Sequence, residues 1–292
     1  MRTPLSKLAA VTAVATYLLI VLGAVVRATG SGLGCPDWPT CHGRWIPPFE
    51  REALIEYSHR SLAVIVGALV VAILITAWRS RRLDRRSWQL ALASFGLLLV
   101  QAWLGRQVVL TELSPALVTV HLGTAMTLLA ILLLIALPHA RPEPQPRLAW
   151  RYWAAVGGVL AVILAGALVR GAGAGPAFGD WPLMDGSLIP SGLDRSLRAL
   201  HFLHRTVALV VGIYLVYLLV FLRRSEGLPR TLASAIGLYL LQASIGAAAV
   251  WTVLAPWTVV SHVAVGSLTW AFAFLLPFSR SLARERLVST ES

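Results

Sequence analysis

The sequence predicts an all-α integral membrane protein of eight transmembrane helices, built as two tandem, parallel-repeat four-helix bundles with both termini cytoplasmic. Three observations predict it. The 292 residues are 57% hydrophobic and 13% charged, with a mean hydropathy of +0.74, too apolar for a soluble domain of this size. Eight runs of roughly 20 largely apolar residues, the length that crosses a bilayer, can be read along the chain. The second half of the chain also repeats the pattern of the first.

The apolar runs lie at about 8–27, 60–78, 88–110, 117–137, 152–170, 203–222, 231–252 and 257–277. The first is long for a signal-peptide core and has no convincing small-residue cleavage site before Arg27, so it reads as a retained helix. No amphipathic Arg/Ser-rich presequence precedes it, which favours a bacterial cytoplasmic (inner) membrane over an organelle. Cytoplasmic loops retain Lys and Arg. With the N-terminus inside, most of the 25 cations fall on the cytoplasmic side, among them Lys7, the five arginines between 79 and 86, Arg141, Arg147, Arg151, Arg223, Arg224 and Arg280. The net charge of +12 is then a topological signal. The arginines are spread through short loops rather than gathered on one face, so the expected partners are membrane lipid and no nucleic acid.

The repeat is read residue by residue. RATGSGLGCPDWPTCHGRWIP from Arg27 lies over RGAGAGPAFGDWPLMDGSLIP from Arg170, an offset of 143, with Asp37-Trp38-Pro39 over Asp180-Trp181-Pro182. His59-Arg60 matches His204-Arg205, Gln101 and Gly105 match Gln242 and Gly246, and His121 matches His262. Four helices per half make each half enter and leave on one side, so the repeat is parallel. The expected organisation is an N-terminal bundle over 1–140 with a cysteine-bearing loop at 28–57, a linker at 141–151, a C-terminal bundle over 152–279 and a tail at 280–292.

A histidine within a span is costly to desolvate and is first read as functional. Four of the seven histidines, His59, His121, His204 and His262, occupy repeat-equivalent positions near one end of their helices. Two imidazoles facing each other across a bundle can supply both axial ligands of a haem iron. Interhelical hydrogen bonding is the competing reading, and it fits two matched pairs poorly. Zinc fits less well, because no Asp, Glu or Cys recurs beside both pairs to complete a tetrahedral shell. His42 and His139 fall in loops and are not expected to be ligands. Arg60 and Arg205, each directly after a histidine, could pair with haem propionates or snorkel to the interface. Arg106 has Ala247 as its counterpart and belongs to the first half alone.

The halves differ where a division of labour would show. Glu56 stands three residues before His59 and its repeat equivalent is His201. A carboxyl group beside one site only suggests proton handling there, and a helix N-terminal acid is the alternative. Cys35 and Cys41, the chain's two cysteines, lie in the first loop alone. A disulfide in an oxidising compartment and a redox-active pair are both compatible with their spacing.

These residues together resemble the haem A synthase family: eight helices in two parallel halves, Glu56-x-x-His59-Arg60, His121, His204-Arg205, His262 and the first-loop cysteine pair. The resemblance covers nearly the whole chain. It implies an enzyme that oxidises a ring methyl of haem O to a formyl group by successive hydroxylations, giving haem A for terminal oxidases. It implies His59 and His121 as ligands of the substrate haem, His204 and His262 as axial ligands of a haem b cofactor, and Glu56 as the acid important for hydroxylation. It assigns Cys35 and Cys41 a disulfide or thiol-relay role on the extracytoplasmic side. The implied partner is the farnesyltransferase that makes haem O, and a homo-oligomer is compatible with the pattern. Some family members carry a second cysteine pair in the other half; this chain does not. The alternative reading is a di-haem b electron-transfer protein without haem-modifying activity. All four histidines lie toward one face, so such a carrier would not span the bilayer with its haems. A repeat-built transporter is a third reading, disfavoured by mid-span stretches that are mostly Leu, Val, Ala and Gly.

Overall fold

The computed structural model describes residues 3–82, 84–143, 145–225 and 229–283; Arg2, Glu226 and the tail from 284 onward lie outside them. The described residues form eight long helices: α1 (Pro4–Ala28), α2 (Arg51–Arg79), α3 (Arg85–Leu110), α4 (Pro115–Ala136), α5 (Pro146–Gly171), α6 (Ser196–Ser225), α7 (Arg230–Trp251) and α8 (Pro256–Phe274). No strand occurs among the described residues, only two isolated bridges. All eight helices are long and apolar enough to cross a membrane, so the chain is a multi-span membrane protein.

Local chemistry sets the helix starts. Thr3 caps α1 by accepting from the Ser6 N–H at 3.1 Å, and Asp84 caps α3 by accepting from the Ser87 N–H at 2.9 Å. Proline, whose missing N–H costs nothing in a first turn, opens α1, α4, α5 and α8. Two helices begin well before their apolar runs: α2 at Arg51 rather than 60, and α6 at Ser196 rather than 203. The added turns, REALIEYSH and SLRALHF, are interrupted by charged residues and histidine but contain no helix breaker, so the backbone continues past the end of the uninterrupted apolar run. Helix α5 likewise starts at Pro146, inside the stretch read as a linker.

The chain divides into two compact units, Met1–Pro138 and His139–Ser292. In the first, α1 packs against α2 and α4, and α3 closes the ring against α2 and α4. Its interior is built from Val66, Val70 and Ile73 of α2, Met126 and Leu132 of α4, and the small face of α1. Buried Thr12 and Thr16 donate to the carbonyls of Leu8 and Thr12, so neither hydroxyl is left bare in the apolar interior. In the second unit α5 packs against α6 and α8, and α7 against the same two helices. Tyr152, Leu215, Leu218, Leu222 and Leu232 fill it. The start of this unit is strapped to its end: Glu143 N–H donates to Pro277 O at 2.6 Å, Arg141 N–H to Ser281 Oγ at 2.9 Å, and Arg280 pairs with Glu143 at 3.2 Å.

Within each unit the α-hairpin beside the long loop turns through two left-handed non-glycine residues, Glu112 and Leu113 before Pro115, and Val253 and Leu254 before Pro256. That conformation costs roughly 1–2 kcal/mol per residue. The cost is offset because Leu113 N–H and Leu254 N–H close the helix ends onto Val108 O and Ala249 O at 2.8 and 2.7 Å.

Candidate functional site

Each unit presents one pair of histidines, and all four of its helices shape the place. His59 and His121 come from α2 and α4 and lie within electrostatic range of each other; His204 and His262, from α6 and α8, are related in the same way. Each of the four side chains is half-buried, yet its Nδ1 is fully buried and makes no hydrogen bond in a good geometry. The accessible edge of each ring is therefore away from Nδ1, which leaves Nε2 as the nitrogen open to a ligand.

The rings are held against glycines of the remaining helices. A Cβ built on Gly23 of α1 would lie 3.1 Å from His59 Cε1, and one on Gly105 of α3 would lie 3.5 Å from His121 Cε1. In the second unit the corresponding distances are 3.0 Å from Gly166 of α5 to His204 Cε1 and 3.1 Å from Gly246 of α7 to His262 Cε1. At Gly23, Gly166 and Gly246 only a residue without a side chain lets the imidazole lie this close to the neighbouring helix backbone, whereas the distance at Gly105 is an ordinary van der Waals contact. Gly23 and Gly166 stand 143 residues apart, the offset of the loop repeat, but a lone glycine in an apolar helix carries too little signal to be singled out.

Beside His59, the early start of α2 places Glu56 one turn back on the same helical face. Glu56 is 6% exposed, and its Oε1 accepts from Arg60 Nε at 3.1 Å. In the second unit the equivalent His201 is buried with both nitrogens occupied: Nδ1 is 3.0 Å from Ala174 O, and Nε2 is 3.1 Å from Arg205 Nε, the donor. His201 is thus a structural histidine.

The two arginines after the histidines hold the long loops. Arg60 donates from Nη1 to the carbonyls of Asp37 and Thr40 at 2.7 and 2.8 Å, and from Nη2 to that of Cys35 at 2.7 Å. Arg205 donates from Nη1 to the carbonyls of Asp180 and Leu183 at 2.9 and 3.0 Å, while its Nη2 is buried without a partner. Arg106 is exposed near the end of α3.

The α1–α2 loop carries the Cys35–Cys41 disulfide, with a Cα–Cα distance of 4.6 Å; both cysteines are fully buried and pack with Ala53 and Tyr57 at the start of α2. Asp37 shapes the loop. Its carboxylate accepts from the Thr40 hydroxyl and from the N–H groups of His42 and Gly43 at 2.6 and 2.9 Å, the two left-handed residues of the turn between Cys41 and Arg44. These bonds, the Thr40 hydroxyl first, lower its pKa to about 2. Asp180 does the same in the α5–α6 loop, accepting from the N–H groups of Asp185 and Gly186 at 2.7 and 2.8 Å, and its pKa is likewise lowered. The repeated Asp-Trp-Pro triplet is thus a turn-capping device. His42 makes only a loop contact, to Gly34 O at 3.0 Å, and His139 stands in a turn.

Among the described residues no group of three or more His, Cys, Asp or Glu side chains could close a shell around a bare metal ion. Pairs of imidazoles, each with one nitrogen sealed against protein and one presented, suit a planar iron complex that brings its own equatorial donors. Fold and sites together define a multi-span helical membrane protein with two paired-histidine sites, one of them flanked by a buried acid and a disulfide loop. The family model described as cytochrome oxidase assembly protein matches residues 6–274, and the chain belongs to that family. Among relatives, the heme A synthase of Alkalihalophilus pseudofirmus is 33% identical over 220 residues, 72% of this chain and 73% of its own. Those of Shouchella clausii (30% identical, 86% and 88% covered) and Caulobacter vibrioides (31%, 84% and 86%) match over still more of the chain.

Proposed function

We propose that this protein is a haem A synthase, an oxidoreductase that converts the ring methyl of haem O to a formyl group by successive hydroxylations. Family membership and the names of the relatives support the activity. The observation that carries the assignment of roles is the asymmetry between two otherwise matching sites: a buried carboxyl group and a disulfide loop stand beside His59 and His121, and neither stands beside His204 and His262.

In this reading the two units are a tandem duplication. His59 and His121 bind the iron of the substrate haem O, and His204 and His262 hold a retained haem b. The fit is supported by four sealed Nδ1 atoms and by the glycine seats, which leave each Nε2 presented. A haem b held by His204 and His262 would supply one-electron redox chemistry. The protein's own part is to orient both imidazole pairs, keep bulk water away in an apolar bundle, and accept or deliver a proton at the Glu56 carboxyl group beside the substrate. The exposed Arg106 and the unpartnered Nη2 of Arg205 are the donors left for haem propionates; Arg60 has four of its five N–H groups engaged by Glu56 and the loop.

The distribution of cations supports cytoplasmic termini in a bacterial inner membrane and a cysteine loop on the extracytoplasmic face, where a disulfide persists. The enzyme that farnesylates haem is the expected supplier of substrate. The test is expression with a haem O synthase in a host that lacks haem A. Extracted pigment should contain haem A; a folded, haem-loaded protein that never yields it overturns the assignment and favours a di-haem b carrier.

A further inference from the structure

Arg60 stands between the two features that belong to the first unit alone. Its Nε donates to Glu56 at 3.1 Å, and its other donors reach the carbonyls of Cys35, Asp37 and Thr40, all within the ring of chain closed by the Cys35–Cys41 disulfide. The Arg60 and Glu56 side chains are 14% and 7% exposed, so water is a poor substitute for either partner. Arg205, the matching residue, shows which part of this is common scaffold. It keeps the Nε contact, to neutral His201, and the two Nη1 contacts to loop carbonyls, but its Nη2 has no partner. What the first unit adds is the bond to the cysteine backbone and the acid.

We propose that Arg60 is a positioning residue that ties the Cys35–Cys41 ring to the Glu56 carboxyl group, so that the state of the disulfide and the placement of Glu56 are set together. The tie is a property of the folded chain; its consequence for the reaction rests on the role given to Glu56 above. When a dithiol reductant opens the ring, two electrons and two protons pass to the sulfurs, two thiols form, and the reductant becomes a cyclic disulfide. The carbonyls of residues 35, 37 and 40 are then free to leave the guanidinium, which loses the contacts that hold it against Glu56. Coupling between two sites is reciprocal, so a change at Glu56 must alter the dithiol–disulfide equilibrium by the same factor.

The test uses the full chain in lipid nanodiscs, equilibrated with mixtures of reduced and oxidised dithiothreitol. The closed fraction of Cys35–Cys41 is read by thiol alkylation and mass spectrometry for the parent, E56Q, R60Q and the double variant. E56Q should move the equilibrium toward the dithiol roughly fivefold, because the guanidinium keeps a hydrogen bond to the amide oxygen but loses the carboxylate charge. In the R60Q background the same change should move it less than about twofold. No shift from E56Q, or equal shifts in both backgrounds, overturns the proposal. If R60Q does not fold, R60K replaces it with the same expectation, because a lysine cannot span Glu56 and three carbonyls at once. The equilibrium is measured without haem O. Coupling in a protein that never makes haem A would therefore refute the role of Glu56 in the reaction while leaving the tie intact.

Discussion

Replacing Gly166 by alanine puts a methyl group 3.0 Å from His204 Cε1, where carbon atoms at rest stay about 3.5–4.0 Å apart. The imidazole, wedged between α5 and its own helix, must withdraw by several tenths of an ångström, more than the roughly 0.2 Å tolerance of a metal–ligand bond. Overpacking of this kind costs about 1–3 kcal/mol, which as lost haem affinity is roughly 5–150-fold. The substitution acts in the opposite direction on the helix, since alanine in a helix interior is favoured over glycine by about 0.5–1 kcal/mol. Haem binding and fold stability should therefore part company: titration with haem shows weaker binding to the second unit, and the thermal midpoint of the haem-free protein stays the same or rises. The series is graded by distance. Gly23→Ala and Gly246→Ala, at 3.1 Å, should resemble Gly166→Ala, while Gly105→Ala, at 3.5 Å, should be nearly silent. Gly96→Ala and Gly157→Ala, with nothing within 4 Å, should be silent. Equal loss of haem from Gly157→Ala and Gly166→Ala would refute the reasoning, because the seat under the ring would then be irrelevant.

Other outcomes follow from the same geometry. Gly34→Ala should lower the yield of folded protein, since its Cβ would collide with the backbone carbonyl of Glu52 at the start of α2; thermal unfolding by circular dichroism checks this. Asp37→Asn should speed reduction of Cys35–Cys41 by dithiothreitol at neutral pH, because the turn loses its charged acceptor. The Asp37 pKa is lowered to about 2 from 3.8, so its contribution is complete above about pH 4 and is lost as the pH falls toward 2. The parent loop should thus match Asp37→Asn in protease sensitivity only near pH 2. His121→Ala should remove haem from the first unit and leave the His204–His262 spectrum unchanged, while His262→Ala should do the reverse; loss of both haems from either variant would contradict independent sites.

Much of this architecture was legible because hydropathy and repetition are properties of the chain itself. The eight spans followed from runs of Leu, Val and Ala, and the histidine pairs from their common register. The start of α2 was not legible: REALIEYSH carries three charged residues, so an apolar threshold cuts it off, whereas backbone hydrogen bonding carries the helix on to Arg51. That extension is what puts Glu56 on the face of His59. The work of Arg60 and Arg205 was hidden for another reason. Whether a guanidinium meets a propionate, a lipid phosphate or a carbonyl depends on the path of a distant stretch of loop, and Cys35 is 25 residues from Arg60. The Asp-Trp-Pro repeat was visible, but its purpose as a turn cap needed the positions of the N–H groups of residues 42, 43, 185 and 186.

The difference between the units is chemically economical. A shared scaffold places two imidazoles, two glycine seats, a capping aspartate and a loop-holding arginine in each unit. On it, one residue position separates a buried carboxyl group, Glu56, from a histidine, His201, whose two nitrogens are already engaged. Among the described residues no carboxyl group takes that place beside His204 and His262, which is the difference on which the proposed division of roles rests.

The most direct measurement is the pigment extracted from the Glu56→Gln protein purified after co-expression with a haem O synthase. The account predicts haem b and unconverted haem O in the variant, with haem A only in the parent. Haem A at the parent's yield from Glu56→Gln would contradict it.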